Sequence, residues 1–157
     1  MKLSLNGALT VGTEDGANIE IRDCVGSDNI FIFGNTTLQV DALRKSGYDP
    51  RSIYQNNPAL NETLNKLDGG FFSNNDRKRY HDVFNSLVNF GDHYMLLADY
   101  ADYVATQNKI DALFLDPLQW HQKAILNVAG MGHFSSDRTI RNYATDTWNM
   151  SSLLKKA

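Results

Sequence analysis

Residues 1–20 read Met1-Lys-Leu-Ser-Leu-Asn-Gly-Ala-Leu-Thr-Val-Gly-Thr-Glu-Asp-Gly-Ala-Asn-Ile-Glu20. Three glycines, Gly7, Gly12 and Gly16, stand among small and β-branched residues. Glycine at this density marks chain reversals or a close approach of the backbone to a neighbour, because glycine adopts left-handed conformations without steric cost. The stretch is therefore typical of a functional site and not of an ordinary amphipathic helix. Lys2 stands at its start.

The first part of the chain alternates between helix and strand signals. The strand signal at Asn29-Ile-Phe-Ile-Phe33 contains four consecutive large apolar residues, which predicts burial on both faces, as in a parallel sheet. Asp15-Gly16 predicts a turn, and Gly26 and Gly47 predict helix ends. Residues 1–49 therefore predict an α/β segment. Its elements, in the order helix, strand, helix, strand, helix, are residues 1–8, 9–13, 17–25, 29–33 and 37–47.

Helix signals dominate from Pro50 onward, so residues 50–157 predict a helical segment. Asp116-Pro117 is a strong start signal, because an N-cap residue precedes a proline at the first helical position. Asp99 predicts another N-cap, and residues 94–98 before it suit either a strand or a helical start. Further caps are predicted at Asn75 or Asp76 and at Ser135 or Ser136, and the polar tail after Trp148 is predicted to fray.

Helical spacing also predicts which side chains face a core. Phe71 and Phe72, between two such helices, are predicted to pack beneath a loop. The predicted inward residues are Leu60, Leu64 and Leu67, then Tyr80, Val83, Phe84, Leu87 and Val88, then Trp120, Ala124, Ile125 and Val128, and finally Ile140, Tyr143, Ala144 and Trp148.

Composition limits the classes of protein that this chain can be. With 157 residues and 42% hydrophobic residues, it is long enough for one domain with a real core. The net charge of −3 predicts neither a nucleic-acid nor a membrane partner. Cys24 is the only cysteine, which predicts a reducing compartment and a packing role for its thiol. Without a membrane-spanning or signal-peptide pattern, the predicted compartment is the cytoplasm.

The residues alone give weak signals for chemistry. The four histidines show no metal-ligand spacing, so no metal site is predicted. The Gly12–Gly16 turn follows a predicted strand but lacks the lysine and spacing of a phosphate-binding loop. Asp99 and Asp102 can pair for catalysis, although favourable interaction with a helix dipole is the simpler interpretation. The Ser135–Arg138 cluster can bind an anion or merely cap a helix.

Four motifs in order resemble those of the α-glucan phosphorylases, the family that acts on glycogen, starch and maltodextrin. Residues 1–20 closely resemble the family's pyridoxal-phosphate segment. Asn29-Ile-Phe-Ile-Phe-Gly34 is similar to the strand that follows that segment. Ala98-Asp-Tyr-x-x-Tyr-Val104 is similar to a later helix start, and Phe134-Ser-Ser-Asp-Arg-Thr-Ile140, with Tyr143 and Trp148, resembles the C-terminal helix. The resemblance covers essentially the whole chain.

The resemblance implies that Lys2 binds pyridoxal 5′-phosphate as a Schiff base, which serves mainly as an anchor. The cofactor phosphate then exchanges a proton with the substrate phosphate. The implied reaction is reversible phosphorolysis of α-1,4-glucans to glucose 1-phosphate with retention, so the implied partners are an α-1,4-glucan and phosphate, with a homo-oligomer possible. The implied fold is the C-terminal portion of the second Rossmann-like lobe of a glycosyltransferase-B-type enzyme. Glu14 departs from the pattern, since the family usually has an apolar residue there.

The resemblance also places the family's phosphate-binding turn, catalytic arginine and lysines, and glucose-binding residues upstream of Met1. We therefore expect no catalytic residue in this chain and expect it to be inactive alone, with no specific binding of the cofactor at Lys2. The few predicted strands agree, because two or three strands do not make an independent parallel sheet. The alternative is a non-enzymatic helical module that docks on a separate N-terminal lobe or self-associates through a bare sheet edge.

Overall fold

The computed structural model describes residues 1–150, which form an α/β structure that is mostly helical. The predicted order of helix, strand, helix, strand, helix in the first segment is confirmed. Short 3-10 turns at Ser27–Asn29, Phe71–Ser73 and Met131–Phe134 connect some of the elements. The elements in chain order are α1 Lys2–Leu5, β1 Val11–Gly12, α2 Ala17–Val25, β2 Phe31–Ile32, α3 Thr37–Ser46, α4 Pro50–Asn56, α5 Pro58–Asp68, α6 His81–Val88, α7 Leu96–Phe114, α8 Pro117–Gly130 and α9 Ser136–Asn142.

The two short strands run parallel. The N–H of Phe31 donates to the carbonyl of Thr10 at 2.9 Å, and the N–H of Phe33 donates to the carbonyl of Gly12 at 3.1 Å. The predicted burial of the second strand on both faces is wrong, because Phe31 and Ile32 are only half-buried. A strand is covered by its neighbours, and β1 is the single strand paired with β2 among residues 1–150.

The chain divides into two compact units. Unit 1 contains Met1–Val11, Gly16–Phe31 and the chain from Leu113 onward, and unit 2 contains Gly12–Asp15 and Ile32–Ala112. The division at residues 49 and 50 that the sequence predicts stays a prediction. The predicted fraying concerned the tail after Trp148, of which residues 151–157 lie outside the described part. Among the helices of residues 1–150, none has the length and apolar character to cross a bilayer.

In unit 1, α8 packs against α1 and α2. Asp116 caps α8 as predicted, since its Oδ1 accepts from the N–H of Gln119 at 3.1 Å. The predicted inward face is wrong at Ile125 and Val128, which are exposed, whereas Asn127 is fully buried. Helical spacing identifies a stripe, but the neighbouring elements decide which stripe is covered. The same error affects three aromatic or aliphatic residues near α9, namely Ile140, Tyr143 and Trp148, which are exposed.

In unit 2, α4, α5 and α6 surround an apolar core. The predicted α5 stripe is confirmed, because Leu60 and Leu64 are buried and Leu67 packs against them. Helix α4 was not predicted, although Asp49-Pro50 repeats the signal that Asp116-Pro117 gives to α8, and Asp49 accepts from the N–H of Arg51. The full cluster consists of Leu60, Leu64, Val88 and Leu97, with Ile53, Tyr54, Leu67, Phe84, Leu87 and Tyr100 packed on it.

Two further predictions in unit 2 are wrong. Phe71 and Phe72 are exposed, so the predicted packing beneath a loop is wrong. Helix α6 begins at His81 after Tyr80, with no side-chain cap, so neither Asn75 nor Asp76 caps it. Both asparagine and aspartate also favour tight turns, and Asn75 adopts a left-handed conformation in the turn before α6.

Candidate functional site

Lys2 is the first residue of α1, a helix of only four residues. Its side chain is exposed, and its amine has no hydrogen-bond or ion-pair partner within residues 1–150. The carbonyl of Lys2 accepts a hydrogen bond from the side-chain amide of Asn6 at 2.8 Å, which closes the short helix. The amine is therefore open to an electrophile such as an aldehyde.

The segment after Lys2 turns back immediately, as its glycines predict. Gly7 has φ +85°, a left-handed conformation that favours glycine, and its N–H donates to the carbonyl of Ser4 at 3.0 Å. The hydroxyls of Ser4 and Thr10 lie 2.9 Å apart, and Ser4 is buried. These contacts fix α1 to the approach of β1 and so determine where Lys2 emerges in unit 1.

A cavity of about 640 Å³ in unit 1 is lined by Met1, the neighbour of Lys2. Lys2 itself does not line it. The cavity wall carries Arg138 and His133, and it also carries the carboxylates Glu20 and Asp146. Arg138 donates through Nη1 to the carbonyl of His133 at 2.7 Å, so part of its guanidinium is already engaged. The lining thus mixes both signs of charge.

These residues fit one end of pyridoxal 5′-phosphate and not the other. The accessible amine of Lys2 suits the aldehyde carbon. A phosphate dianion instead needs several cations or the N-terminal amides of a helix. Within residues 1–150, the nearby cavity offers Arg138 as its permanent cation, opposed by Glu20 and Asp146. The described residues therefore support an anchoring lysine without completing a phosphate site.

The carboxylates of Asp99 and Asp102 have a structural role in unit 2. The N–H of Gly34 donates to Oδ2 of Asp102 at 2.7 Å. Oδ1 of Asp99 accepts from the N–H of Asn35 at 2.8 Å and from its side-chain amide at 2.7 Å. The two acids therefore hold the turn that follows β2, a contact that neither the helix-dipole interpretation nor the catalytic one predicts.

The predicted N-cap at Asp99 is wrong, since another aspartate has that function. The carboxylate of Asp92 accepts from the N–H groups of Leu96 at 3.0 Å and Leu97 at 2.7 Å, at the start of α7. It also accepts from the hydroxyl of Tyr48 at 2.8 Å. Burial, and then the hydrogen bond and charge of Asp92, raise the pKa of Tyr48 well above its usual value. Asp92 stands four residues before α7, too far for a standard cap signal.

The remaining candidates have local roles. Ser135 is the N-cap residue of α9 but makes no capping hydrogen bond, and α9 has seven residues. His81 contacts Asp68 with Nδ1 and Oδ1 2.7 Å apart. No group of three or more histidine, cysteine or acidic side chains in residues 1–150 is arranged to hold a metal ion. Glu14, at the position that departs from the family pattern, is half-buried.

Comparison with known proteins gives a consistent result. The family model described as carbohydrate phosphorylase matches residues 1–150. Glycogen phosphorylase of Pasteurella multocida is 47% identical over 150 residues, which are 96% of this chain and 18% of that protein. Glycogen phosphorylase of Synechocystis is 48% identical, over 94% of this chain and 17% of that protein. The brain form of glycogen phosphorylase from Bos taurus is 45% identical, over 94% of this chain and 17% of that protein. The chain thus spans less than a fifth of the length of these relatives.

Proposed function

This chain belongs to the carbohydrate phosphorylase family, and on that basis we propose that it forms part of an α-glucan phosphorylase. The resemblance drawn from the sequence motifs is thereby confirmed for the family. The proposed reaction is phosphorolysis of α-1,4-glucans to glucose 1-phosphate with pyridoxal 5′-phosphate as cofactor, in the cytoplasm. The similarity to proteins named glycogen phosphorylase over at least 94% of this chain supports the proposal.

We assign the anchoring of the cofactor to Lys2. The single observation that carries this assignment is the match of residues 1–20 to the cofactor segment of the family, with Lys2 at the position of the anchoring lysine. When bound, the cofactor supplies a phosphate that exchanges a proton with the substrate phosphate. The contribution of this chain is to hold the cofactor through the Lys2 amine, which α1 presents to solvent without a competing partner in residues 1–150.

We also propose that the chain has no phosphorolytic activity alone. The mixed charges beside Met1 support this, because two phosphate dianions in one site repel each other and require a surplus of cations. The proposed position of the chain is the C-terminal portion of the second lobe of a glycosyltransferase-B-type fold. The division between residues 1–49 and residues 50–157 is part of the same proposal.

Complementation tests this function directly. Pasteurella multocida glycogen phosphorylase is produced without the segment that matches this chain, and the 157-residue chain is added separately. Production of glucose 1-phosphate from maltodextrin and phosphate is then measured. We expect activity from the mixture only, and none when the added chain carries Lys2→Ala. Equal activity with Lys2→Ala would contradict the assignment of Lys2.

A labelling experiment tests the isolated chain. The chain is incubated with pyridoxal 5′-phosphate and reduced with borohydride, and its peptides are mapped. Since Lys2 is an exposed lysine without a completed phosphate site, we expect it to react no more than Lys45 and Lys109, which are also exposed. Selective, stoichiometric modification of Lys2 would show that residues of this chain suffice to bind the cofactor.

A second candidate is a non-enzymatic helical module that docks on another polypeptide or self-associates. The observation in its favour is the apolar surface of α8, where Leu118 and Ile125 are 69% and 67% exposed. Exposed apolar surface of this kind marks an interaction site. Size-exclusion chromatography with light scattering, combined with the complementation experiment, separates the two candidates. A monomer that restores no activity counts against the module.

A further inference from the structure

A loop of unit 2 carries two exposed aromatic rings and three exposed cations. Residues 69–80, which we call the aromatic–cationic loop, connect α5 to α6. Phe71 and Phe72 are 68% and 55% exposed. Arg77, Lys78 and Arg79 follow one another and are all exposed. Within residues 1–150, none of these three cations forms an ion pair with a carboxylate.

The backbone of the loop brings the start of the cationic run close to the residue before the two rings. The N–H of Asn75 donates to the carbonyl of Gly70 at 2.9 Å, and the hydroxyl of Ser73 donates to the carbonyl of Asp76 at 2.6 Å. A Cβ on Gly70 would lie 3.2 Å from the backbone nitrogen of Arg77. The cationic run therefore begins against the residue that immediately precedes Phe71.

The loop is held in a defined conformation. Gly70 is buried at its base with φ +84°, and two non-glycine residues, Asn74 and Asn75, have φ +50° and +67°. Left-handed residues other than glycine persist only where surrounding contacts determine the backbone. Below the loop, His81 and Asp68 join the start of α6 to the end of α5 at 2.7 Å. The exposed rings are thus carried on an ordered support and not on a loose end.

The local charge of the loop is opposite to that of the whole chain. Residues 69–80 contain three cations and one carboxylate, Asp76, whereas the chain has a net charge of −3. Beside the loop, Lys66 forms an ion pair with Glu62 at 2.6 Å, and its Nζ lies 5.6 Å from the centre of the Phe71 ring. The net charge of the whole chain therefore conceals a loop with a local excess of positive charge and two exposed aromatic rings.

We propose that the aromatic–cationic loop binds an anionic lipid membrane. In this arrangement, Phe71 and Phe72 enter the headgroup region while Arg77, Lys78 and Arg79 contact lipid phosphates. Apolar side chains flanked by basic residues bind such interfaces through both effects. Because the Phe71 and Phe72 rings project from the surface, we favour a planar membrane as the partner. Peptides and single-stranded nucleic acids are usually bound in grooves. This inference is independent of the proposed catalytic function.

Vesicle sedimentation of the 157-residue chain tests the proposal. The chain is mixed with vesicles of phosphatidylcholine alone or with added phosphatidylserine. We expect binding only to the anionic vesicles, weakened by salt because the loop cations are exposed. Replacing Arg77, Lys78 and Arg79 together by glutamine is expected to lower the partition coefficient about fivefold for each cation removed. Phe71→Ala with Phe72→Ala is expected to lower it as well, with less dependence on salt.

Matched controls use residues outside the loop. Phe90 is an exposed phenylalanine, and Lys45 and Lys109 are exposed lysines of the same unit. Phe90→Ala and the double variant Lys45→Gln with Lys109→Gln are expected to bind vesicles as the unaltered chain does, and circular dichroism verifies that every variant is folded. Equal binding to neutral and anionic vesicles overturns the proposal. So does an equal loss in the control variants, or a loop-dependent affinity for an acidic peptide or single-stranded RNA without vesicle binding.

Discussion

Asp99 accepts two hydrogen bonds from Asn35, a residue 64 positions earlier, through a single carboxylate oxygen. The backbone N–H and the side-chain amide of Asn35 both donate, at 2.8 and 2.7 Å. Asp99 is buried, and both residues belong to unit 2. This contact connects the turn after β2 to the first turn of α7. It gives Asp99 a role in place of the capping role that the sequence predicts.

Replacing Asp99 by alanine removes the acceptor for both donors of Asn35. Hydrogen bonds to charged groups contribute about 1.5–3 kcal/mol, so we expect Asp99→Ala to lower the free energy of unfolding by about 2–3 kcal/mol. Asp102→Ala is the control, because it removes one bond to Gly34 at an exposed position, and about 1 kcal/mol is expected. Urea unfolding followed by circular dichroism measures both values. Equal losses would contradict the role given to Asn35.

A substitution at Gly34 tests how closely the turn after β2 packs against Asp99. A Cβ at Gly34 would lie 2.7 Å from the carboxylate of Asp99, and φ is +84°. Gly47 has nearly the same φ, +85°, but, apart from its neighbours in the chain, no atom of residues 1–150 lies within 4 Å of its Cβ position. Gly47→Ala is expected to cost about 1–2 kcal/mol from backbone strain alone. Gly34→Ala is expected to cost about 1–3 kcal/mol more, because of the clash. Comparing the urea midpoints of the two variants isolates the clash, and similar midpoints would mean that Asp99 moves away freely.

Gly130 provides the matching test in unit 1. A Cβ there would lie 2.7 Å from the carbonyl oxygen of Cys24 and 3.1 Å from the Cα of Val25. Gly130→Ala improves helix propensity by up to about 1 kcal/mol, but we expect a net loss of about 1–2 kcal/mol, since α8 must move away from α2. Gly132→Ala is expected to be nearly neutral, because no atom of the described part of the chain, apart from the neighbouring residues, lies within 4 Å of the added Cβ. A stabilised Gly130→Ala variant in thermal unfolding would show that α8 and α2 are not packed this closely.

Tyr48 is expected to make the stability of unit 2 sensitive to alkali. Burial is the first cause that raises its pKa, followed by the hydrogen bond to Asp92, so the folded protein holds the phenolic proton more tightly than the unfolded chain. This stabilisation is fully present below the unfolded value of 10.0 and is lost as the pH rises through the higher folded pKa. We expect the free energy of unfolding to fall more steeply with rising pH above 10 in the unaltered chain than in Tyr48→Phe. Identical pH profiles would argue against the Asp92 contact.

Asp116 is expected to stabilise α8 as its N-cap. The backbone N–H of Gln119, followed by its side-chain amide, lowers the pKa of Asp116. Asp116→Ala is expected to lower the free energy of unfolding measured in urea, because α8 loses its side-chain cap. Ser135→Ala is the control, because Ser135 occupies the N-cap position of α9 without making the capping bond, and it is expected to cost little. The depressed pKa places the loss of the Asp116 contribution at acidic pH, as the pH falls through the folded pKa.

The sequence predicts the elements of this fold better than their environment. Glycine after a helix predicts the end of α2, and aspartate before proline predicts the start of α8, because each signal acts within a few residues. Helix α4 begins with the same aspartate–proline signal, at Asp49-Pro50. Neighbours far apart in sequence leave no such local trace.

The outward position of Ile125 and the burial of Asn127 show this limit. Helical spacing makes Ile125 a core residue, yet α8 turns Asn127 inward, where its amide donates to the carbonyl of Asn29 at 2.7 Å. That partner lies 98 positions away, so no periodicity within α8 indicates it. The candidate site has the same property: a motif within residues 1–20 predicts Lys2 as the anchoring residue, whereas the cavity beside Met1 depends on residues near α9.

Both tryptophans of the chain, Trp120 and Trp148, belong to unit 1. The Trp120 ring meets Phe114 edge to face, with ring centres 5.1 Å apart. Indole fluorescence therefore reports the unfolding of unit 1 alone, while the far-ultraviolet signal arises from the helices of both units. A comparison of the two optical signals shows directly whether the units melt as one cooperative body or in sequence, and it does so without any added label.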